Sequence, residues 1–148
     1  MTDTTRIIYF GERDLDYARI RSAVRGSRRP GITLYRVVDL RQAMINDLFT
    51  TETICIVSPR FSPSALLNLL DWRRIYGEMG PVFQLRHVEA GSAISQPPRV
   101  LGLRGYLASR DMTTRFMEQF IDKTLGRTLF RMPRKRSVAG GFSPVANR

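Results

Sequence analysis

The 148-residue chain has one cysteine, one histidine, one tryptophan and only two lysines. A single cysteine, Cys55, excludes an internal disulfide and any cysteine-clustered zinc site. It lies in the apolar run Thr53-Ile54-Cys55-Ile56-Val57, which reads it as a small buried hydrophobe. A single histidine, His87, excludes multi-histidine metal centres and has no evident nucleophile partner, so it reads as a surface or loop residue. No apolar run approaches the ~18 residues that a membrane-crossing helix needs. The first residues, Met1 to Arg6, lack a basic stretch followed by an apolar one, so no secretory leader is expected. There is no glycine-rich phosphate loop. The expectation is a cytoplasmic protein with no membrane association, no cofactor, no metal and no enzymatic activity.

Acidic residues are also scarce: 13 against 24 basic ones, 22 of them arginine, for a net charge of +11. The distribution matters more than the total. Residues 131–148 hold Arg131, Arg134, Lys135, Arg136 and Arg148 with no acid, which gives +5 and leaves +6 on residues 1–130. The last segment is rich in Pro, Gly, Ser and cations, the composition of a linker. The expected organisation is one domain over residues 1–130 and a basic flexible tail over 131–148, leading to an absent DNA-binding domain. Arg131, Arg134, Lys135 and Arg136 are the candidates for direct nucleic-acid contact; a solvated basic surface is the plainer reading.

What is plentiful is alternation. Arg6–Phe10, Ile32–Val38, Thr53–Val57, Pro81–Leu85 and Gly105–Ala108 read as short strands. Between them, helical spacing runs from Asp14 to Gly26, from Asp39 as N-cap through Leu48, and from Ser62-Pro63 to Gly77 or Gly80. Gly91, Pro97 and Pro98 interrupt the fourth connection, so an irregular fourth helix is expected. Asp111 is placed as the cap of a last helix carrying Phe116, Phe120, Ile121 and Leu125. Trp72 and Tyr76 beside Arg73 and Arg74 resemble a stacking patch for nucleic acid, but their helical spacing reads Trp72 as core. Glu12, Asp14 and Asp16 read as the start of a solvated helix, favourable to its dipole. Strands alternating with helices predict an α/β fold with a five-stranded parallel sheet, doubly wound.

Two stretches add a resemblance. Leu101-Gly102-Leu103-Arg104-Gly105-Tyr106-Leu107 resembles the LGARGYL-type segment before the last helix of response-regulator receiver domains. Val57-Ser58-Pro59-Arg60-Phe61-Ser62-Pro63 follows the frame of the LDLRMPG-type segment after their third strand. The collinear set covers about residues 6–129 and is most similar to receivers that precede a LuxR-type helix-turn-helix. The resemblance implies a receiver-like, flavodoxin-like fold. It also implies a phosphoacceptor pocket at the strand ends, and here that pocket is degenerate. The acidic pair that holds magnesium falls on Gly11 and Glu12, the acceptor aspartate on Ser58, the hydroxyl position on Arg86, and the lysine on Ser109 with Arg110 beside it. Magnesium favours several oxygen ligands, and Glu12 with Asp14 makes too few. Arg86, if it points into the pocket, would place a permanent charge there. Tyr106 takes the place of the family's switch aromatic; it reads either as a half-buried strand tyrosine or, with Arg104, as a fixed interface.

The resemblance therefore implies an atypical receiver in bacterial two-component signal transduction and transcription regulation. It would not be phosphorylated at an aspartate and would act through a homodimer or a regulatory protein partner. The alternatives are a stand-alone module that titrates a kinase or regulator, and a direct nucleic-acid binder working through the arginine-rich tail.

Overall fold

A computed structural model of the chain describes residues 5–28, 31–50, 52–76, 80–87 and 100–126. Five strands form one all-parallel sheet: β1 (Thr5–Phe10), β2 (Ile32–Val37), β3 (Thr53–Val57), β4 (Val82–Arg86) and β5 (Gly105–Ala108), in the order β2-β1-β3-β4-β5. The described helices are α1 (Leu15–Gly26), α2 (Leu40–Ile45), α3 (Pro63–Tyr76) and α4 (Thr114–Thr124), with a single 3-10 turn at Ser109–Asp111. This order is the flavodoxin-like α/β topology. The fourth connection, expected as an irregular helix around Gly91 to Pro98, lies outside the described residues, as does the basic tail at 131–148.

The sheet follows from strand composition. All five residues of β3 are buried, as a parallel strand covered on both faces requires. β1 pairs with β3 from Arg6↔Thr53 to Phe10↔Val57, and with β2 from Thr5↔Ile32 to Phe10↔Val37. Because right-handed crossovers lead from β1 in opposite directions, α1 covers one face while α2 and α3 cover the other. Ile8, Phe10, Cys55, Val57 and Val82 pack with Ala43 of α2 and with Leu66, Leu69 and Leu70 of α3. Burial pushes the Cys55 thiol well above its usual range, in keeping with a residue that serves as packing. Trp72 lies with its ring 5.0 Å from that of Phe49, and packs against the same core. On the opposite face Ile20 and Ala23 of α1 are buried, and the Tyr17 ring lies 5.8 Å from that of Tyr9.

Local signals set the helix ends. Asp14, Asp39 and Ser62 accept hydrogen bonds from the main-chain N–H groups of Tyr17, Gln42 and Ala65, each meeting one of the donors that a helix start leaves unpaired. The cap of the last helix is Thr113, whose hydroxyl accepts from Phe116 N–H at 3.2 Å; Asp111, expected in that role, closes the preceding 3-10 turn instead. α2 stops at Ile45, short of Leu48, because Asp47 takes a left-handed φ of 52°. The Arg6 guanidinium then donates to the carbonyls of Asp47 and Leu48, both at 3.1 Å.

The chain divides into two units, Met1–Glu118 and Gln119–Arg148. Within the first, α1 is tied to the start of α4: the Ser27 hydroxyl and the Arg28 N–H both donate to Glu118. In the second, Phe120 and Ile121 are buried, and Gly126, at a φ of 70°, follows the helix end. Among the described residues no helix is long and apolar enough to cross a membrane.

One close approach makes the register of β3 and β4 testable. A Cβ on Gly80 would stand 1.6 Å from the Thr53 carbonyl oxygen, a main-chain atom that cannot yield without moving β3. Gly80→Ala is expected to cost about 3 kcal/mol or more, the upper end of overpacking effects, measured by denaturant unfolding.

Candidate functional site

In an open parallel sheet, sites form where loops leave the carboxyl ends of the strands. Here those loops follow Phe10, Val57, Arg86 and Ala108. At the end of β1, Gly11 N–H donates to the Val37 carbonyl, and at the end of β3, Ser58 N–H donates to the Phe10 carbonyl. The two loops are thus locked to the central strands. Ser58 is buried, and its hydroxyl accepts from Arg60 N–H at 3.1 Å, a local turn of the kind serine favours.

The space between these loops is taken by Tyr9, which sequence reasoning treated only as a strand residue. Its ring is fully buried, and a Cβ on Gly11 would meet both Tyr9 Cε2 and Ser58 Cβ at 2.8 Å. Glycine is needed at position 11 because of that approach. The Tyr9 hydroxyl donates to the Asp14 carboxylate at 3.1 and 3.2 Å. Burial pushes the Tyr9 hydroxyl well above the usual tyrosine range; a hydrogen bond with Ser58 opposes the shift, and the Asp14 charge adds to it.

A second cluster lies at the ends of β4 and β5. Asp16, read from sequence as part of a solvated helix start, is buried. Its carboxylate accepts from the Ser109 hydroxyl, and His87 Nε2 lies 3.0 Å from each of its oxygens. Arg19 Nη1 donates to the Ser109 oxygen at 2.9 Å. His87 is exposed on its outer side, yet it is a paired residue rather than a free surface one. The cluster joins α1 to the loops after β4 and β5. Its members are 71 and 93 residues apart in sequence, and no local pattern announces them.

The remaining candidates separate. Glu12 is exposed at the crevice mouth. Arg86 turns away from the crevice: its guanidinium lies 4.6 Å over the ring of Tyr106, on the face of the sheet that α3 covers. Tyr106 is partly buried against that core, and Arg104 is exposed beside it while its N–H donates to the Val82 carbonyl. Ser109, at the lysine position implied by the resemblance, points its hydroxyl to Asp16. Arg131, Arg134, Lys135 and Arg136 lie outside the described residues.

The donor set does not suit magnesium. Asp14 is engaged by Tyr9 and the helix cap, Asp16 by Ser109 and His87, and Gly11 and Ser58 offer no carboxylate. Among the described residues no three His, Cys, Asp or Glu side chains converge on one point. Comparison with known proteins returned no matching family model, no matching curated protein and no matching solved structure.

Two outcomes follow from these contacts. Folding keeps the proton on Tyr9, whereas the unfolded chain releases it near the ordinary 10.0. The raised value means that this contribution to stability is complete below that pH and is lost as pH rises above it. An alkaline titration followed by tyrosinate absorbance and circular dichroism is expected to show Tyr9 ionising only with unfolding; Tyr9→Phe removes that last component. Asp16→Ala leaves Ser109 and His87 without their shared acceptor and is expected to cost about 1–3 kcal/mol, read as a lowered denaturant midpoint.

Proposed function

We propose that this chain is a regulatory module of receiver type that lacks aspartyl phosphorylation and acts through contacts with protein partners. The observation that carries the reading is Tyr9. Its ring fills the α1 side of the crevice between Gly11 and Ser58, the space in which the resemblance places the acid pair and the acceptor. A carboxylate at position 11 would have to displace that ring. One at position 58 would be buried close to the Asp14 charge, which disfavours a second carboxylate there. Among the described residues the Ser58 hydroxyl meets Tyr9 and its own turn rather than a base that could activate it.

The output surface proposed is the β4–β5 edge. In the family, the aromatic on the fifth strand rotates on phosphorylation. Here Arg86 stacks on Tyr106, a contact worth about 0.5–1 kcal/mol at an exposed site. It supports one fixed position of the ring and a constitutive face. That face, with Arg104 exposed on it, is the one through which the module would form a homodimer or hold a regulatory partner in the bacterial cytoplasm. Control of transcription would then run through a DNA-binding domain outside this sequence.

The reading is tested by incubating the protein with acetyl phosphate, and separately with beryllofluoride, in the presence of magnesium. Intact-mass measurement is expected to show no adduct, and amide spectra no magnesium-dependent shift at Ser58 or Ser109. A stoichiometric acyl-phosphate adduct at any aspartate or glutamate of the crevice overturns it.

A further inference from the structure

In a sheet of order β2-β1-β3-β4-β5, the connections after β1 and β3 leave toward opposite faces. The crevice between their first residues is where ligands of such folds bind. Tyr9 closes that crevice on the α1 side only. On the α3 side a cavity of about 220 Å³ remains open.

The chemistry of its walls is specific. The loop after β1 brings Glu12 and Asp14, and the loop after β3 brings Arg60. Asp14 is already held by the Tyr9 hydroxyl and the Tyr17 N–H, so it contributes a fixed negative charge rather than a free acceptor. Glu12 and Arg60 are both exposed. Among the described residues neither side chain makes a hydrogen bond or ion pair, and they do not pair with each other. The remaining wall is mixed: the Ser58 hydroxyl is engaged by the Arg60 N–H and the Ser62 hydroxyl by Ser64 and the Ala65 N–H, while Phe61 and Ala65, partly buried, and Val38, 44% exposed, form its apolar part. Two opposite charges without partners thus flank a small hollow whose hydroxyls are already committed and whose free surface is partly apolar.

From this we infer that the cavity binds a small zwitterion, an α-amino acid with a short apolar side chain. Arg60 would take the carboxylate, for which a guanidinium is suited by its paired donors. Glu12 would take the ammonium, with the Asp14 charge behind it, and the side chain would lie against Val38, Phe61 and Ala65. Other classes fit less well. The volume is below the ~300–1,000 Å³ of pockets for drug-sized ligands, which suits a small ligand better than a nucleotide. A phosphate would meet two carboxylates and one guanidinium, and a divalent cation would meet Arg60. This inference rests on the reading of the crevice as one without phosphoryl chemistry, and it supplies the input that such a module would need in place of phosphate.

The test is isothermal titration of the full chain with L-valine, and with two probes that each lack one charge: isobutylamine, without the carboxylate, and isovalerate, without the ammonium. Binding of valine is expected, with each single-charge probe weaker by about tenfold or more. Glu12→Gln and Arg60→Gln, both at exposed positions, are expected to fold with unchanged melting temperatures and each to lose about tenfold in valine affinity. Lack of heat with valine and with the other apolar amino acids overturns the inference. So does equal binding of the single-charge probes, or undiminished binding by both variants. These outcomes are independent of the phosphorylation experiment: an acyl-phosphate adduct sinks the regulatory reading whatever valine does, and a silent titration with no adduct sinks the amino-acid site alone.

Discussion

Every side chain of β3, and all but Arg6 in β1, is withdrawn from water. A parallel pair in that position has to be covered from both sides. The rest of the fold follows from this constraint. Right-handed crossovers send α1 to one face and α2 and α3 to the other, and each helix turns an apolar stripe to the sheet. Fully burying an aliphatic side chain contributes about 1.5–3 kcal/mol, so Ile7, Ile8, Ile54, Ile56 and Leu69, all at 0% exposure, dominate the favourable side of folding. The same arrangement opens a crevice between the ends of β1 and β3. Topology thus creates a place for a site before any residue gives it chemistry.

What occupies that place distinguishes this chain. Tyr9 belongs to the core by its ring and to the crevice by its hydroxyl. It ties β1 to the α1 cap through Asp14 and lies against Gly11 and Ser58. On its α1 side the crevice buries a neutral phenol. At the neighbouring strand ends, Asp16, His87, Ser109 and Arg19 form a connected network in which Asp16 and Ser109 are each engaged by more than one partner. A network with its acceptors already committed is suited to holding elements together. On the α3 side, the uncommitted charges of Glu12 and Arg60 beside the cavity mark a different kind of surface, one with capacity left for a ligand.

Much of the fold was legible in the residues. The five strands, the alternation with helices, and the caps at Asp39 and Ser62 follow from apolar runs and short-range capping chemistry, which operate within a few residues. The cap of the last helix was misplaced because Asp111 and Thr113 are both acceptable N-caps, and the choice depended on the Ser109–Asp111 turn. The site was less legible. Glu12, Asp14 and Asp16 sit within five positions and look alike in sequence, yet one is exposed, one caps a helix and one is buried 93 residues from its hydroxyl partner. Arg86 and His87 are adjacent, and strand alternation sends them to opposite faces.

The sequence by itself determined the class of the fold, the absence of disulfide and multi-histidine chemistry, and the lack of a carboxylate at positions 11 and 58. Those are matters of composition and local order. Only the tertiary structure decided that Tyr9 fills the crevice, that His87 and Ser109 meet on Asp16, that Arg86 rests on Tyr106, and that Glu12 and Arg60 share a cavity. Each of these is a juxtaposition set by tertiary packing, and Glu12 and Arg60 share their cavity without pairing. Their existence depends on strand register and on the face to which each residue points, which are set by how the sheet and helices pack together rather than by any neighbouring residue.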